Sequence, residues 1–322
     1  EDTMSRIQKM PRPPAVIVVH TEPDADTILR VMRSGAVEYC YSPVDKPLQA
    51  ALEKIIRQKS DSNLSRGPGK TFGFLSAKGG CGASTICCHA AMILPQLLSD
   101  RVLLADFDLS GGTVDFLLKC KSPYSVLQAM QNSHRLDDSY WKALVWNTPT
   151  KLDVLTGPTP AMQRQPMPVD RLPSVLQFVK FVYGATIVDL GRFLTPSVMA
   201  AAVELDRLLI VTTLDVLALH HASKIVESLL EVGYPRERLG LILNRVSSQR
   251  DIEPEDVQTM LGISIAGVIE DESSALQEAY REGKLLDPQS RLSQKLSRIL
   301  RELAGLPKVQ QKKKFLFFGA NS

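Results

Sequence analysis

No apolar run in this 322-residue chain reaches the roughly 18 residues needed to cross a bilayer, and the opening Glu1-Asp2-Thr3 lacks the basic-then-apolar pattern of a secretory signal. A bacterial-type cytoplasmic protein is expected. Cysteine is scarce: Cys40, Cys81, Cys87, Cys88 and Cys120 show neither a C-x-x-C pair nor a dense framework, so the thiols read as free, without zinc or structural disulfides. Bias toward one charge is also missing. A formal net charge of +3 gives no reason to expect a nucleic-acid coat, and no specific nucleic acid is expected as partner. His89 and the pair His220-His221 have no Cys, Asp or Glu at ligand spacing, so packed or solvated histidines are expected rather than a metal site. Trp141 and Trp146 read as core residues of one amphipathic helix. Adjacent Cys87 and Cys88 should diverge, with at most one facing the core.

What is present suffices for a large domain and a smaller one. The first part reads β-α-β-α, with an apolar run at 15–19, a helical stretch at 26–34 stopped by Gly35, a short strand at 39–41 and an amphipathic helix to Ile56. Residues 58–70 lose apolar periodicity and gather Ser, Gly, Pro and charge, as a linker does. Beyond it, apolar runs at 72–76, 102–105, 152–155, 186–188, 208–212, 239–243 and 263–268 alternate with longer amphipathic stretches. Such runs indicate an α/β fold with a mostly parallel sheet covered on both faces, where sites form beyond the carboxyl ends of the strands. The expected division is 1–57, linker 58–70, main domain 71–307 and a tail at 308–322.

After the first strand of the main domain comes Ser76-Ala77-Lys78-Gly79-Gly80-Cys81-Gly82-Ala83-Ser84-Thr85, followed by a helical run. A glycine-rich turn between strand and helix aims successive backbone N–H groups at a phosphate, and the helix N-terminus adds partial positive charge. The ordinary P-loop pattern is not met, because Ala77 replaces its first glycine and Ala83 its lysine. Further along, apolar strands end in Asp106-Phe107-Asp108, in Asp189-Leu190-Gly191 and in Asn244-Arg245, and Gly267-Val268-Ile269-Glu270-Asp271-Glu272 closes the series.

In this order the segments resemble the deviant P-loop ATPases of the MinD/ParA superfamily, with a P-loop NTPase sheet. The Gly-Ala-Ser-Thr form of the loop resembles the TadZ/CpaE pilus-assembly branch. The resemblance implies ATP and Mg²⁺ as cofactors. It implies that Lys78 contacts phosphate, commonly across a nucleotide-sandwich homodimer, and that Gly79, Gly80, Cys81, Gly82, Ala83, Ser84 and Thr85 form the cradle. Ser84 would ligate Mg²⁺, with Asp106, Asp108 and Asp189 around the metal, partly in its outer shell, and Asp108 orienting any attacking water. Asn244, Arg245 and Ile269 would flank the adenine. Residues 1–57 resemble part of a flavodoxin-like receiver, without a phosphoacceptor aspartate and with Ser42-Pro43 where Lys-Pro is usual.

Losing a charged hydrogen bond of about 1.5–3 kcal/mol at Ala83 would weaken nucleotide binding by about 10- to 100-fold. Hydrolysis should suffer more, since the lysine also steadies charge developing on the transferred phosphoryl group; at most a weak ATPase is expected. The resemblance implies an ATP-dimerised localisation or assembly factor for a tight-adherence pilus, with pilus-assembly proteins as partners. A cycling ATPase of partition, division or polar positioning is the alternative, and a redox relative of the nitrogenase iron protein a third. The tail Lys312-Lys313-Lys314-Phe315-Leu316-Phe317-Phe318 suits an anionic membrane surface at the inner membrane or cell pole, with a solubilising tail or a strand docked on the partner subunit as alternatives.

Overall fold

In the computed structural model, which describes residues 16–45, 47–52 and 67–307 together with Met4, Ile7 and Pro14, the chain divides into two units after Gly69. In the first unit β1 (Ile17–His20) and β2 (Glu38–Tyr41) pair in parallel through α1 (Ala25–Arg33), with Val18 opposite Tyr39. Asp24 caps α1 by accepting from the Thr27 amide at 3.1 Å, and Gly35, at φ 94°, turns the chain back toward β2. Helix resumes at 47–52. One parallel strand pair is too little to establish a receiver. Most of the expected linker, and the whole basic-aromatic tail at 308–322, lie outside the described residues.

The second unit is built on an eight-stranded sheet. Its strands are β3 (Lys70–Ser76), β4 (Val102–Asp106), β5 (Trp146–Asn147), β6 (Leu152–Leu155), β7 (Ala185–Arg192), β8 (Arg207–Thr212), β9 (Leu239–Val246) and β10 (Ile265–Glu270). They lie in the order β10-β9-β8-β3-β7-β4-β6-β5, all parallel except the last pair. All seven apolar runs are therefore strands, with ends shifted by up to four residues. The mostly parallel α/β sheet expected from them is present.

Continuous apolar runs are needed here because both faces are covered, so each strand alternates between two cores. Phe72, Phe74, Val102, Leu104, Ala185 and Ile187 join one cluster under α2 (Ala83–Leu98) and α11 (Arg291–Ala304). Leu75, Leu103, Ala105, Val188 and Leu190 join the other, under helices that include α6 (Leu172–Val182), α7 (Pro196–Ala202) and α8 (Val216–Glu231). Between α2 and α6 lie α3 (Val114–Leu117), α4 (Val126–Gln131) and α5 (Asp138–Leu144); α9 (Pro254–Leu261) and α10 (Ser273–Arg281) flank β10.

Two sequence readings are corrected. Cys87 and Cys88 are both fully buried, because α2 is enclosed by the sheet on one side and α11 on the other, leaving no solvent face for either thiol. Trp141 does occupy the core of α5, but Trp146 lies on β5, half-buried. This antiparallel edge strand is only two residues long, too short for any periodicity to register. A polar relay around the buried Asp153 carboxylate fastens it: Asn147 donates to Asp153 at 2.8 Å, Asp153 pairs with Arg101, and the Tyr183 hydroxyl donates to Asp153 at 2.7 Å while accepting from Trp141 Nε1 at 2.8 Å.

Candidate nucleotide site

The central strand β3 has β8 on one side and β7 on the other, and the next strand in sequence, β4, lies beyond β7. At such a point the loops leaving the strands part and open a crevice beyond their carboxyl ends. The β3–α2 turn occupies it. Gly80 and Gly82 have φ of 88° and 94°, left-handed backbone that only glycine adopts without strain. Gly82 also occupies the N-cap of α2, where no side chain caps the free amides. A methyl group on Gly82 would lie 2.5 Å from Asn244 Nδ2, which donates to the Cys81 carbonyl at 2.8 Å. The end of β9 thus ties down the turn from the side. Cys81 is buried, its sulfur 3.8 Å from the Thr213 hydroxyl, and Ala83 is buried in the first turn.

Three carboxylates converge beside this turn. Asp106 and Asp189 are register partners on β4 and β7 and both are fully buried. Asp106 accepts from the Asp108 amide at 3.0 Å and the Val114 amide at 3.3 Å, so both its oxygens organise the loop after β4. Asp108 accepts from the Ser110 and Gly111 amides at 3.0 and 3.1 Å and packs over Gly191, where a methyl group would come within 2.5 Å of its carboxyl carbon. Asp189 accepts from the Gly191 amide at 3.0 Å, but its Oδ2 is buried with no hydrogen-bond partner among the described residues. Burial, then the neighbouring charge of Asp189, pushes the Asp106 carboxyl well up; burial also raises Asp189, which the Ser84 hydroxyl partly offsets.

A buried, unpartnered carboxylate oxygen beside a hydroxyl at the head of a helix suits a hydrated divalent cation. No group of three or more His, Cys, Asp or Glu among the described residues could hold a metal alone. Ser84 and phosphate oxygens would supply the inner ligands of Mg²⁺, with Asp189 behind them. The residues fit that ion.

Lys78 is held within its own chain, Nζ 2.8 Å from Asp215 Oδ1 at the N-cap of α8. Burial opposes ionisation of Asp215, but Lys78, the Thr213 hydroxyl at 2.6 Å and the Ala218 amide at 3.0 Å hold its carboxyl down at about 2. On the other side of the turn, Gly82, Thr85, Asn244, Arg245 and Ile269 line a narrow cleft, closed by Glu272 and Ser273. A second hollow of about 820 Å³ opens over Lys78, Gly79 and Gly80 toward Asp215 and Arg245.

No family model matches the chain. In sequence it is 25% identical over 234 residues to a putative septum site-determining protein MinD of Oltmannsiellopsis viridis, covering 70% of this chain and 72% of that one. Among solved structures it superposes on a ParA family ATPase of Chlorobium tepidum with a TM-score of 0.66 at 28% identity, over 73% of this chain and 98% of that one. MinD of Pyrococcus horikoshii complexed with Mg-ADP gives a TM-score of 0.63 at 22% identity, over 73% and 96%. The chain is similar to MinD/ParA-type P-loop ATPases in sequence and in fold.

Against that similarity, three features stand out. The five cysteines are all buried, which offers nothing for an iron–sulfur cluster shared between subunits. His89 is a packed histidine: Nδ1 lies 2.8 Å from the Thr85 carbonyl and Nε2 accepts from the Leu286 amide at 3.1 Å. Tyr280, whose hydroxyl is 3.3 Å from Thr85 Oγ1, and Asp215 both touch the site, and neither carries a motif of its own. Asp215 had one signal, its position three residues after the apolar run 208–212, the same strand-end placement as the other acidic residues.

Proposed function

We propose that this chain is a MinD/ParA-type positioning protein switched by Mg-ATP, binding nucleotide at Lys78 to Thr85 and turning it over slowly or not at all. The observation that carries this reading is the left-handed Gly80–Gly82 turn at the head of α2, with the buried Asp189 carboxylate beside Ser84, one of its oxygens without a hydrogen-bond partner among the described residues. The turn supplies backbone donors for phosphate and the carboxylate a place for a hydrated cation. Bound Mg-ADP in the Pyrococcus MinD accords with that assignment. Asn244, Arg245 and Ile269 flank the base, and Asp108 is placed to orient water. Ala83 removes the ammonium that would steady the transferred phosphoryl group.

The working state is a homodimer closed around nucleotide, with Lys78 leaving Asp215 to reach the partner's phosphates. A pilus-assembly role of the TadZ/CpaE kind is the second reading, supported by Ala83 in the loop and by the β-α-β unit ahead of it. Peripheral attachment to an anionic membrane through residues 312–318 would serve either role, since dimerisation doubles a weak anchor. Calorimetry with Mg-ATP, followed by light scattering of the same samples, tests the core of the reading. Heat of binding and a rise to dimer mass are expected; no heat up to millimolar ATP would overturn it.

A further inference from the structure

Nucleotide phosphates need cationic partners, and the loop has lost one at Ala83. The cations around it differ in how far they are already engaged. Lys78 is ion-paired with Asp215 at 2.8 Å, and Arg250 with Glu253 at 2.7 Å. Arg245 lies near enough to Asp271 to help lower that carboxyl, after Ser273. Arg192 is different. It ends β7 in register with Ser76, the last residue before the loop, and Ser76 itself donates to the Lys78 carbonyl at 2.7 Å.

A methyl group placed on Gly79 would lie 3.2 Å from Arg192 Nη1, so the guanidinium rests on the open face of the loop. No carboxylate among the described residues pairs with it. Its Cζ sits 5.5 Å from the ring of Phe193, a residue at φ 71° and 64% exposed. Left-handed backbone is costly for an aromatic residue, and such strain persists where surrounding structure or function demands it. The turn at Gly191 and Phe193 thus directs the arginine across Gly79.

We propose that Arg192 contacts the terminal phosphates of the bound nucleotide and supplies the positive charge that Ala83 cannot. The proposal rests on nucleotide binding at the loop. A guanidinium forms forked, charge-assisted hydrogen bonds to phosphate oxygens, which suits a ligand with several terminal oxygens better than one with few. Glycine at position 79 then has a steric reason, because any side chain there would push the guanidinium off the loop. Arg192 reaches the phosphate from β7, a different element from the helix that carries Ala83. It can therefore restore affinity for the ground state without restoring the geometry that a helix-borne lysine gives the transferred group.

The test is calorimetry on the full chain with Mg-ATP and Mg-ADP, using the parent, Arg192→Ala, Arg192→Lys, Arg192→Gln and the double variant Arg192→Ala/Ala83→Lys. Removing a charged hydrogen bond should weaken ATP binding by about 10- to 100-fold in Arg192→Ala, with a smaller loss for ADP. Arg192→Lys should keep most of the affinity while Arg192→Gln should not, a split by charge that a purely structural role for Arg192 would not produce, and the double variant should recover the lost affinity. Thermal melting checks that each variant folds; if Arg192→Ala melts early, the comparison is made between Arg192→Lys and Arg192→Gln, which differ in charge. ATP binding by the folded, uncharged variant within twofold of the parent overturns the proposal and leaves the nucleotide site standing. No binding by the parent overturns both.

Discussion

Replacing Gly82 by alanine attacks the loop at the one atom that the fold leaves out. The residue has φ 94° at the N-cap of α2, and the added methyl would meet Asn244 Nδ2 at 2.5 Å. Left-handed backbone costs an L-residue about 1–2 kcal/mol, of which about 0.4–1 kcal/mol is offset by the stiffer unfolded chain. Asn244 must then swing away and release the buried Cys81 carbonyl, which costs about 1–3 kcal/mol. The middle of these ranges is a net loss of about 3 kcal/mol, or about 6–12 °C in Tm for a unit of this size. The same displacement moves the side chain proposed to flank the base, so ATP affinity should fall by at least about tenfold. Differential scanning calorimetry and nucleotide titration measure both, with Gly111→Ala, where a methyl meets nothing within 4 Å, as the stability control. A Gly82→Ala protein that melts with the parent and binds ATP equally would show that the turn is not held as described.

Four further outcomes are expected. Ala83→Lys places an ammonium at the head of α2 and should raise ATP affinity about tenfold or more; equal or weaker binding in a calorimetric titration would mean the loop departs from the family's geometry. Lys78→Ala should lower dimer mass with ATP in light scattering, whereas Asp215→Asn, which releases the ammonium from its 2.8 Å ion pair, should favour the dimer. His89 is held neutral by burial, which depresses its pKa below 6.5 despite the Thr85 carbonyl. Its contribution to stability is therefore present above pH 6.5 and is lost as pH falls below that value, so acid should lower the urea midpoint less in His89→Gln than in the parent. Tyr183→Phe strips Trp141 Nε1 of its acceptor and Asp153 of a donor, and should cost about 2–4 kcal/mol in urea unfolding.

The sheet was legible because its strands are buried on both faces and so appear as unbroken apolar runs such as Val102 to Ala105. β5 was not, since two residues carry no period and its place depends on the Asp153 relay, whose links span 6, 30 and 52 positions. The same division holds at the site. The loop glycines and the acidic strand ends announce themselves by position, and Asp106 and Asp189 prove to be direct register partners. What sequence could not convey is how the groups are spent. Asp106 gives both oxygens to backbone amides, Lys78 is held by a carboxylate 137 residues away, and Arg192 crosses to Gly79 from another strand. Each depends on contacts between segments whose spacing in sequence carries no signal.

These pairings bear on why a chain with an intact cradle would turn nucleotide over slowly. On the proposed reading, backbone N–H groups at Gly80 to Thr85 would bind phosphate oxygens about equally before and during transfer, and so would raise affinity without lowering the barrier. A lysine projecting from the first turn of α2 acts where charge grows on the transferred group, and Ala83 cannot. A cation on β7 or a lysine from a partner can make up binding, but neither projects from the first turn of α2, and the lysine must also be released from Asp215 and carried in by a second subunit. On the proposed reading, binding and turnover are thereby uncoupled. Such a protein responds to nucleotide chiefly by changing its association state, which is the property a positioning device requires.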